Sequence, residues 1–218
     1  MTYNSNPNPT PPRGAYRRLR SFHGAEIIYD FTVEFCRLYI DRTYGTNRTH
    51  DQMVQAARSG KQNIADLSSV ALAKGEGSKA ASQWATTEIK LVNVARASLE
   101  ELLLDYEDFL RQQGLPKWDK DDPRARALRD LARLPNKSYK TYSSYLSSPE
   151  PAANCMITLI NQTNFLLDQQ IKAIRGQFDE RGISPESHQN RAARLLAENR
   201  KNQAEFDAYL QQFLKKKP

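Results

Sequence analysis

The sequence predicts an all-α protein: an antiparallel up-down-up-down four-helix bundle with an insertion between helices 3 and 4 and a helical C-terminal extension. Three observations lead there. Apolar residues recur at spacings of three and four along four long segments, the period of a helix face. No segment alternates with the period of two that marks a half-buried strand. Short turns join the helical segments except at one insertion, as expected for antiparallel neighbours.

Residues 1–22 read as a disordered basic arm, and residues 23–183 as the bundle. Met1 to Pro12 is polar and rich in Pro and Asn. It lacks the basic-then-apolar order of a secretory signal, which points to a cytoplasmic chain. The first helix is expected from about His23 to Thr43, with Ile28, Phe31, Phe35 and Leu38 on one face and Gly45 as a stop. Thr49 can cap the second helix, with Gln52 completing a capping box. Met53, Ala57, Ile64, Leu67 and Ala71 form its buried stripe, and Gly60 permits close helix approach. The run Gly75-Glu76-Gly77-Ser78 ends it.

The third helix is expected from about Ser82 to Gln113. Val92, Leu99 and Tyr106 repeat every seven residues, with Ala95, Leu102 and Phe109 three residues behind them. Gly114 suits a helix C-terminus and Pro116 forbids continuation. Residues 115–151 hold five of the eleven prolines and read as the insertion, with a short helix from Pro123 to Leu134 inside it. The fourth helix is expected from about Ala152 to Arg181, along Ile157, Ile160, Asn164, Leu167, Ile171, Ile174 and Phe178. Asn164 is the one polar member of that seam and can fix register. Gly182 closes the helix. Residues 184–218 read as a polar helical suffix, opening at Ser184-Pro185-Glu186 and ending in Lys215-Lys216-Lys217.

Composition narrows the function. Of 218 residues, 39% are hydrophobic, enough for a core, and no apolar run is long enough to span a membrane. The net charge of +7 favours anionic partners, nucleic acid before anionic membrane. Cys36 and Cys155 each lie in apolar helical pattern and read as free buried thiols, with a disulfide or a thiol nucleophile as the alternatives. His23, His50 and His188 have no metal-pair spacing. Gly75-Glu76-Gly77-Ser78-Lys79 is too short for a phosphate-cradling loop and reads as a turn. Glu100, Glu101, Asp105, Glu107 and Asp108 form an acidic face, but no Glu-x-x-His accompanies them for a di-metal bundle. We therefore expect no catalysis, no metal and no cofactor.

The basic residues are more informative. Arg13, Arg17, Arg18 and Arg20 precede the first helix, with Tyr16 and Phe22 interleaved. Arg58 and Lys61 lie on the second helix. The insertion carries Arg124, Arg126, Arg129, Arg133, Lys137 and Lys140, with Tyr139 and Tyr142 available for stacking. Arginine pairs with phosphate bidentately, and aromatic rings stack on unpaired bases. The segment from Arg124 to Tyr145 is thus the leading candidate for RNA or DNA contact. A solubilising basic surface is the plainer alternative.

Two stretches resemble a known family. Gln52-Met53-Val54-Gln55-Ala56-Ala57-Arg58-Ser59, followed by Asn63-Ile64-Ala65-Asp66, is similar to a basic alanine-rich helix closing on Asn-Ile-Ala-acid. Ala95, Ala97, Ser98, Leu99, Glu100, Glu101 and Leu102 fit the pattern apolar-x-x-Ala-x-x-Ser-Leu-x-Glu-Leu. Both patterns belong to the bacterial four-helix-bundle family of ribosomal-RNA intervening-sequence proteins and retroelement accessory variability determinants. The chain looks like a subgroup with a C-terminal suffix extension. Leu67 stands where the family usually has glycine, so the helix is expected to continue. The resemblance implies a ring-shaped homopentamer. It also implies contact with nucleic acid through a basic surface, with a nucleic-acid enzyme such as a reverse transcriptase as a further partner. The resulting expectation is a non-catalytic nucleic-acid-binding accessory or adaptor, with no membrane association. A protein-docking oligomeric scaffold is the alternative, and an enzyme with a site between subunits is a third.

Overall fold

The computed structural model describes residues 14–40, 48–72, 78–134 and 137–180, with isolated positions between 196 and 203. Among the described residues all regular structure is helical. Five α-helices appear in order: α1 (Arg20–Tyr39), α2 (Arg48–Leu72), α3 (Ser78–Gln112), α4 (Pro123–Leu131) and α5 (Pro149–Glu180). Short 3-10 segments cover Ala15–Arg18 and Tyr139–Ser147. The four long helices make a closed set of neighbours: α2 and α5 each pack on both α1 and α3, and α4 packs on α5.

The repeats in the sequence become the core. On α3, Val92, Ala95, Leu99, Leu102 and Tyr106 are fully buried. Ile28, Phe31 and Phe35 face them from α1, Met53, Ala57 and Ile64 from α2, and Ile160 and Leu167 from α5. Phe35 meets the rings of Tyr106 and Phe109 edge-on, with centroids 4.8 and 5.0 Å apart, a favoured quadrupole geometry. The buried Tyr106 hydroxyl is satisfied by Thr32 at 2.9 Å. Burial, the largest cause, pushes its phenol well above the usual range. Cys36 and Cys155 are buried and in no disulfide. Asn164, the polar member of its seam, is buried and donates from Nδ2 to Glu100 at 3.1 Å, tying α5 to α3.

Helix ends follow local chemistry. Gly114, at φ 64°, ends α3 in the left-handed conformation. The Leu115 N–H donates to the Leu110 carbonyl at 2.8 Å, closing a Schellman-type turn. Pro123 opens α4, and the Asp122 carboxylate accepts from the Arg124 N–H.

Several boundaries differ from expectation. Residues 14–22 are ordered rather than part of a disordered arm. Tyr16, Leu19 and Phe22 pack against the core, Tyr16 and Phe22 with rings 4.6 Å apart. Their spacing of three is a helix-face signal that the surrounding arginines obscure. Leu38, expected in the buried stripe, is 46% exposed. The stripe turns onto Cys36 and Tyr39 at the end of α1. The α2 helix already begins at Arg48, so Thr49 lies within it rather than capping it, and α3 starts at Ser78 rather than Ser82. The α4 helix stops at Leu131, short of Leu134. Pro149 and Pro151 belong to the first turn of α5 rather than to the insertion, because that turn needs no intrahelical N–H donor. The 3-10 segment Tyr139–Ser147, opened by a Ser138–Thr141 capping box, has no counterpart among the expected elements. Gly45, Gly75 to Gly77, Gly182 and all but isolated positions of the suffix lie outside the described residues.

The close approach of α2 and α3 generates a double-mutant prediction. A Cβ on Gly60 would lie 2.9 Å from Cγ and Cδ2 of the buried Leu99. Leu99→Ala should cost about 2–5 kcal/mol, as buried large-to-small changes do. Gly60→Ala gains about 1 kcal/mol of helix propensity but overpacks the contact by about 1–3 kcal/mol. It should therefore destabilise the parent and stabilise the Leu99→Ala variant. Chemical denaturation of all four proteins should give a coupling of at least about 1 kcal/mol; strict additivity would mean the two residues are not in contact.

Candidate nucleic-acid interface

The chain that leaves α3 must satisfy its backbone while running over α5. Asn154, buried on α5, provides for it. Its Oδ1 accepts from the Trp118 N–H at 2.7 Å, and its Nδ2 donates to the Pro116 carbonyl at 2.9 Å and the Glu150 carbonyl at 3.0 Å. Trp118 is thereby held against α5, and its Nε1 donates to Glu150 at 2.8 Å. From there the chain turns into α4, which lays Ala125 and Leu128 onto the core.

Between α1, α4 and α5 this arrangement leaves a cavity of about 710 Å³. Its buried lining is largely apolar: Ile27, Ala125, Ile157 and Tyr142 are buried there, with Thr163 beside them. Phe165 lies at its edge with 61% of its surface exposed. The rim is basic. Arg20 comes from the first residue of α1, Lys117 and Lys120 from the chain after α3, Arg129 from α4, and Arg133 and Lys137 from the chain after α4. Asp119 is the acid among the lining residues.

The sequence-predicted basic residues divide into three groups. Arg20, Arg129, Arg133 and Lys137 converge on the cavity. Arg124 and Arg126 do not. Arg124 is held internally: it pairs with Asp122 at 2.9 Å and Glu150 at 3.1 Å, and its guanidinium lies over the Trp118 ring at 4.2 Å. Arg126 pairs with Asp121 at 3.2 Å. The third group lies apart from the cavity. Arg17 and Arg18 are exposed on the 3-10 turn, and Arg58 is exposed on α2. Lys61 covers the ring of Tyr29 at 3.8 Å. Lys140 is exposed, whereas Tyr139 is half-buried against the core. Arg13 lies outside the described residues.

Tyr142 requires a correction. Expected as a stacking platform, it is fully buried, so its ring face is not available to a base at the surface. The 3-10 segment turns it inward, where Cys155 on α5 contributes electrostatically to its shift. Burial, the larger cause, pushes its phenol up to about 12. Among the described residues its hydroxyl has no hydrogen-bond partner, and neither does Gln162 Oε1; both residues line the cavity. Lys117, Lys120 and Phe165 are absent from the sequence-predicted set, and the sequence pattern alone does not single out the two lysines. The run Lys117-Trp118-Asp119-Lys120-Asp121-Asp122 has mixed charge, and only its course over α5 puts the lysines on the rim. Phe165 does carry a signal: it falls off the Ile157, Ile160, Asn164, Leu167 seam, which marks an outward aromatic.

Other expected chemistry is placed as follows. His23 is half-exposed near Glu26, and His50 is 3.0 Å from Asp51; His188 lies outside the described residues. Among the described residues no cluster of His, Cys, Asp and Glu could hold a metal, and no helix is long and apolar enough to cross a membrane. The acidic face of α3 is partly engaged: Glu107 pairs with Lys117 at 2.6 Å and Asp108 with Arg111 at 2.9 Å. Burial, then Asp108 and Glu101, raises the Asp105 carboxyl.

Lys137 supports a pH prediction. Burial, followed by the nearby Arg20 guanidinium, holds its ammonium below the ordinary lysine value. A lysine depressed in the folded state is destabilising at any pH below its folded pKa. That penalty fades as pH rises through the folded pKa toward the unfolded one. Lys137→Met should therefore raise Tm at neutral pH, and the gain should shrink as pH climbs toward about 10, the unfolded lysine pKa, and be largely gone above it. A gain independent of pH up to strongly alkaline conditions would mean that the charge is not its source.

Comparison with known proteins returned no match: no family model fits the chain, and no curated protein or solved structure is similar to it.

Proposed function

We propose that this chain is a non-catalytic nucleic-acid-binding protein that acts as an accessory or adaptor to a nucleic-acid enzyme. The carrying observation is the convergence of Arg20, Lys120, Arg129, Arg133 and Lys137, from four separate stretches of chain, around one cavity. Like charges gather at a common rim at a cost in self-repulsion that an anionic partner relieves. Phosphate oxygens suit the arginines, which offer paired donors, and the lysines, which act as point charges. The closed set of helix neighbours supports an antiparallel four-helix bundle, with residues 115–148 as the insertion that carries the site. On this reading the bundle is the scaffold and the insertion the binding element.

A second reading has its own observation. Leu38, Val94 and Leu104 are large, apolar and exposed on the long helices. Such residues suit contacts between copies of the chain, as in the homopentamer that the sequence resemblance implies, or the docking surface of a protein scaffold. Nucleic-acid binding and assembly are compatible, and light scattering of the free protein at micromolar concentration tests the second directly. A monomer there would remove the oligomer.

The first reading is tested by salt. Binding of RNA or DNA should weaken steeply as salt rises, by about 0.7 log units per log unit of salt for each single-strand phosphate contact. Replacing Arg129, Arg133 and Lys137 together with Ala should flatten that slope by roughly two contacts' worth or more, with helix content unchanged. Arg58→Ala, on the distant α2, should leave it in place. Equal flattening by both would move the interface away from the cavity; no binding at low salt would favour the docking scaffold.

A further inference from the structure

We infer that the cavity between α1, α4 and α5 receives one unstacked base of a single strand while the rim holds the flanking phosphates. This rests on the nucleic-acid reading and specifies its ligand as single-stranded.

Three features of the cavity lead there. The first is size. About 710 Å³ falls within the roughly 300–1,000 Å³ of small-molecule sites, which is more than a phosphate needs and enough for a nucleotide. The second is the order of its chemistry. Buried apolar residues, Ile27 and Ile157 among them, lie below a cationic rim. A nucleotide has the same order, with a flat base at one end and a charged phosphate at the other. A base paired in a duplex is shielded by its neighbours and cannot enter, so the strand must be unpaired there. Phe165 offers an exposed ring at the edge on which a base can stack.

The third feature is polar. The buried Tyr142 hydroxyl and Gln162 Oε1 have no hydrogen-bond partner among the described residues, and both residues line the cavity. A buried hydroxyl without a partner is destabilising. Base edges present both donors and acceptors, which match a phenol that can do either and a carboxamide oxygen that accepts. An aliphatic occupant would leave both unsatisfied, and an inorganic anion would satisfy the rim but not the apolar floor.

The experiment uses the full chain and fluorescently labelled oligonucleotides of one sequence: single-stranded, duplex, and single-stranded with evenly spaced abasic sites. The parent should bind the intact single strand at least about tenfold more tightly than the duplex or the abasic strand, as loss of base stacking implies. Phe165→Ala, an exposed change, should lower single-strand affinity about tenfold and leave the salt slope unchanged. Tyr142→Phe should preserve or raise thermal stability, since it removes an unpaired hydroxyl, yet weaken the single strand severalfold. If the strands bind with a steep salt slope but abasic sites and Phe165→Ala change nothing, the base pocket is overturned and the phosphate-binding rim stands. If no strand binds at low salt, both are overturned. If Phe165→Ala alters the oligomeric state rather than strand affinity, the cavity edge is a contact between copies and the base pocket is likewise overturned.

Discussion

The side-chain amide of Asn154 is the constraint on which the site depends. A chain that has just passed Gly114 and Pro116 cannot continue the α3 helix, yet its carbonyls and N–H groups run over the core. Left unpaired, each buried backbone group would cost about 1–3 kcal/mol. One carboxamide satisfies the Trp118 N–H and the Pro116 carbonyl of that chain, and also donates to the Glu150 carbonyl of its own helix. The consequences propagate. Trp118 is fixed and its indole N–H reaches Glu150. Glu150 also receives Arg124, whose guanidinium covers the indole face. Arg124 in turn engages Asp122, the cap of α4. The position of α4, and with it the wall that carries Arg129, follows from a residue on another helix.

This chain of dependence also explains what is legible in the sequence. Periodicity reports a helix face that meets a continuous core, so Val92 to Phe109 and Ile157 to Ile171 are plain from their spacing alone. Punctuation by Gly114 and Pro123 is equally plain, since each satisfies a local backbone requirement. The wall of the site is not, because it is set by contacts between residues such as Trp118 and Asn154, 36 positions apart. No local pattern in the sequence records such a contact. The 3-10 segment is hidden for the same reason: it contains three tyrosines whose roles differ by direction alone. Tyr142 points into the core, while Tyr139 and Tyr145 lie partly buried on it.

Charge counting has a similar limit. The stretch from Arg124 to Lys140 reads as strongly basic, but each cation has its own local balance. Arg124 is satisfied by two carboxylates and an indole, and Arg126 by Asp121. Arg133 pairs with Asp130 at 3.2 Å, yet both groups are largely exposed, so the pair is weak and readily exchanged. Arg129 donates to the Lys120 carbonyl, which leaves its charge without a carboxylate in that contact. What distinguishes the rim cations from the structural ones, among the described residues, is a weaker commitment to internal carboxylates beside a concave surface. Lys137 shows the distinction most clearly: its neighbour is another cation, Arg20.

The site is tied to the core as well as to the insertion. A Cβ on Gly24 would lie 2.4 Å from the Thr163 Oγ1, so α1 and α5 approach there closely enough that a side chain at this position would force Thr163 to shift. Thr163 is buried and donates its hydroxyl to the Leu159 carbonyl of its own helix. Both residues line the cavity. Arg20 is four residues before Gly24, about one helical turn, so the crossing that packs the two helices also carries its guanidinium to the rim beside α5. Widening that crossing would move the cation as well as loosen the core. The same glycine thus serves packing and electrostatics, and the basic rim is a consequence of how the helices pack rather than of a patch of charge added to a finished scaffold.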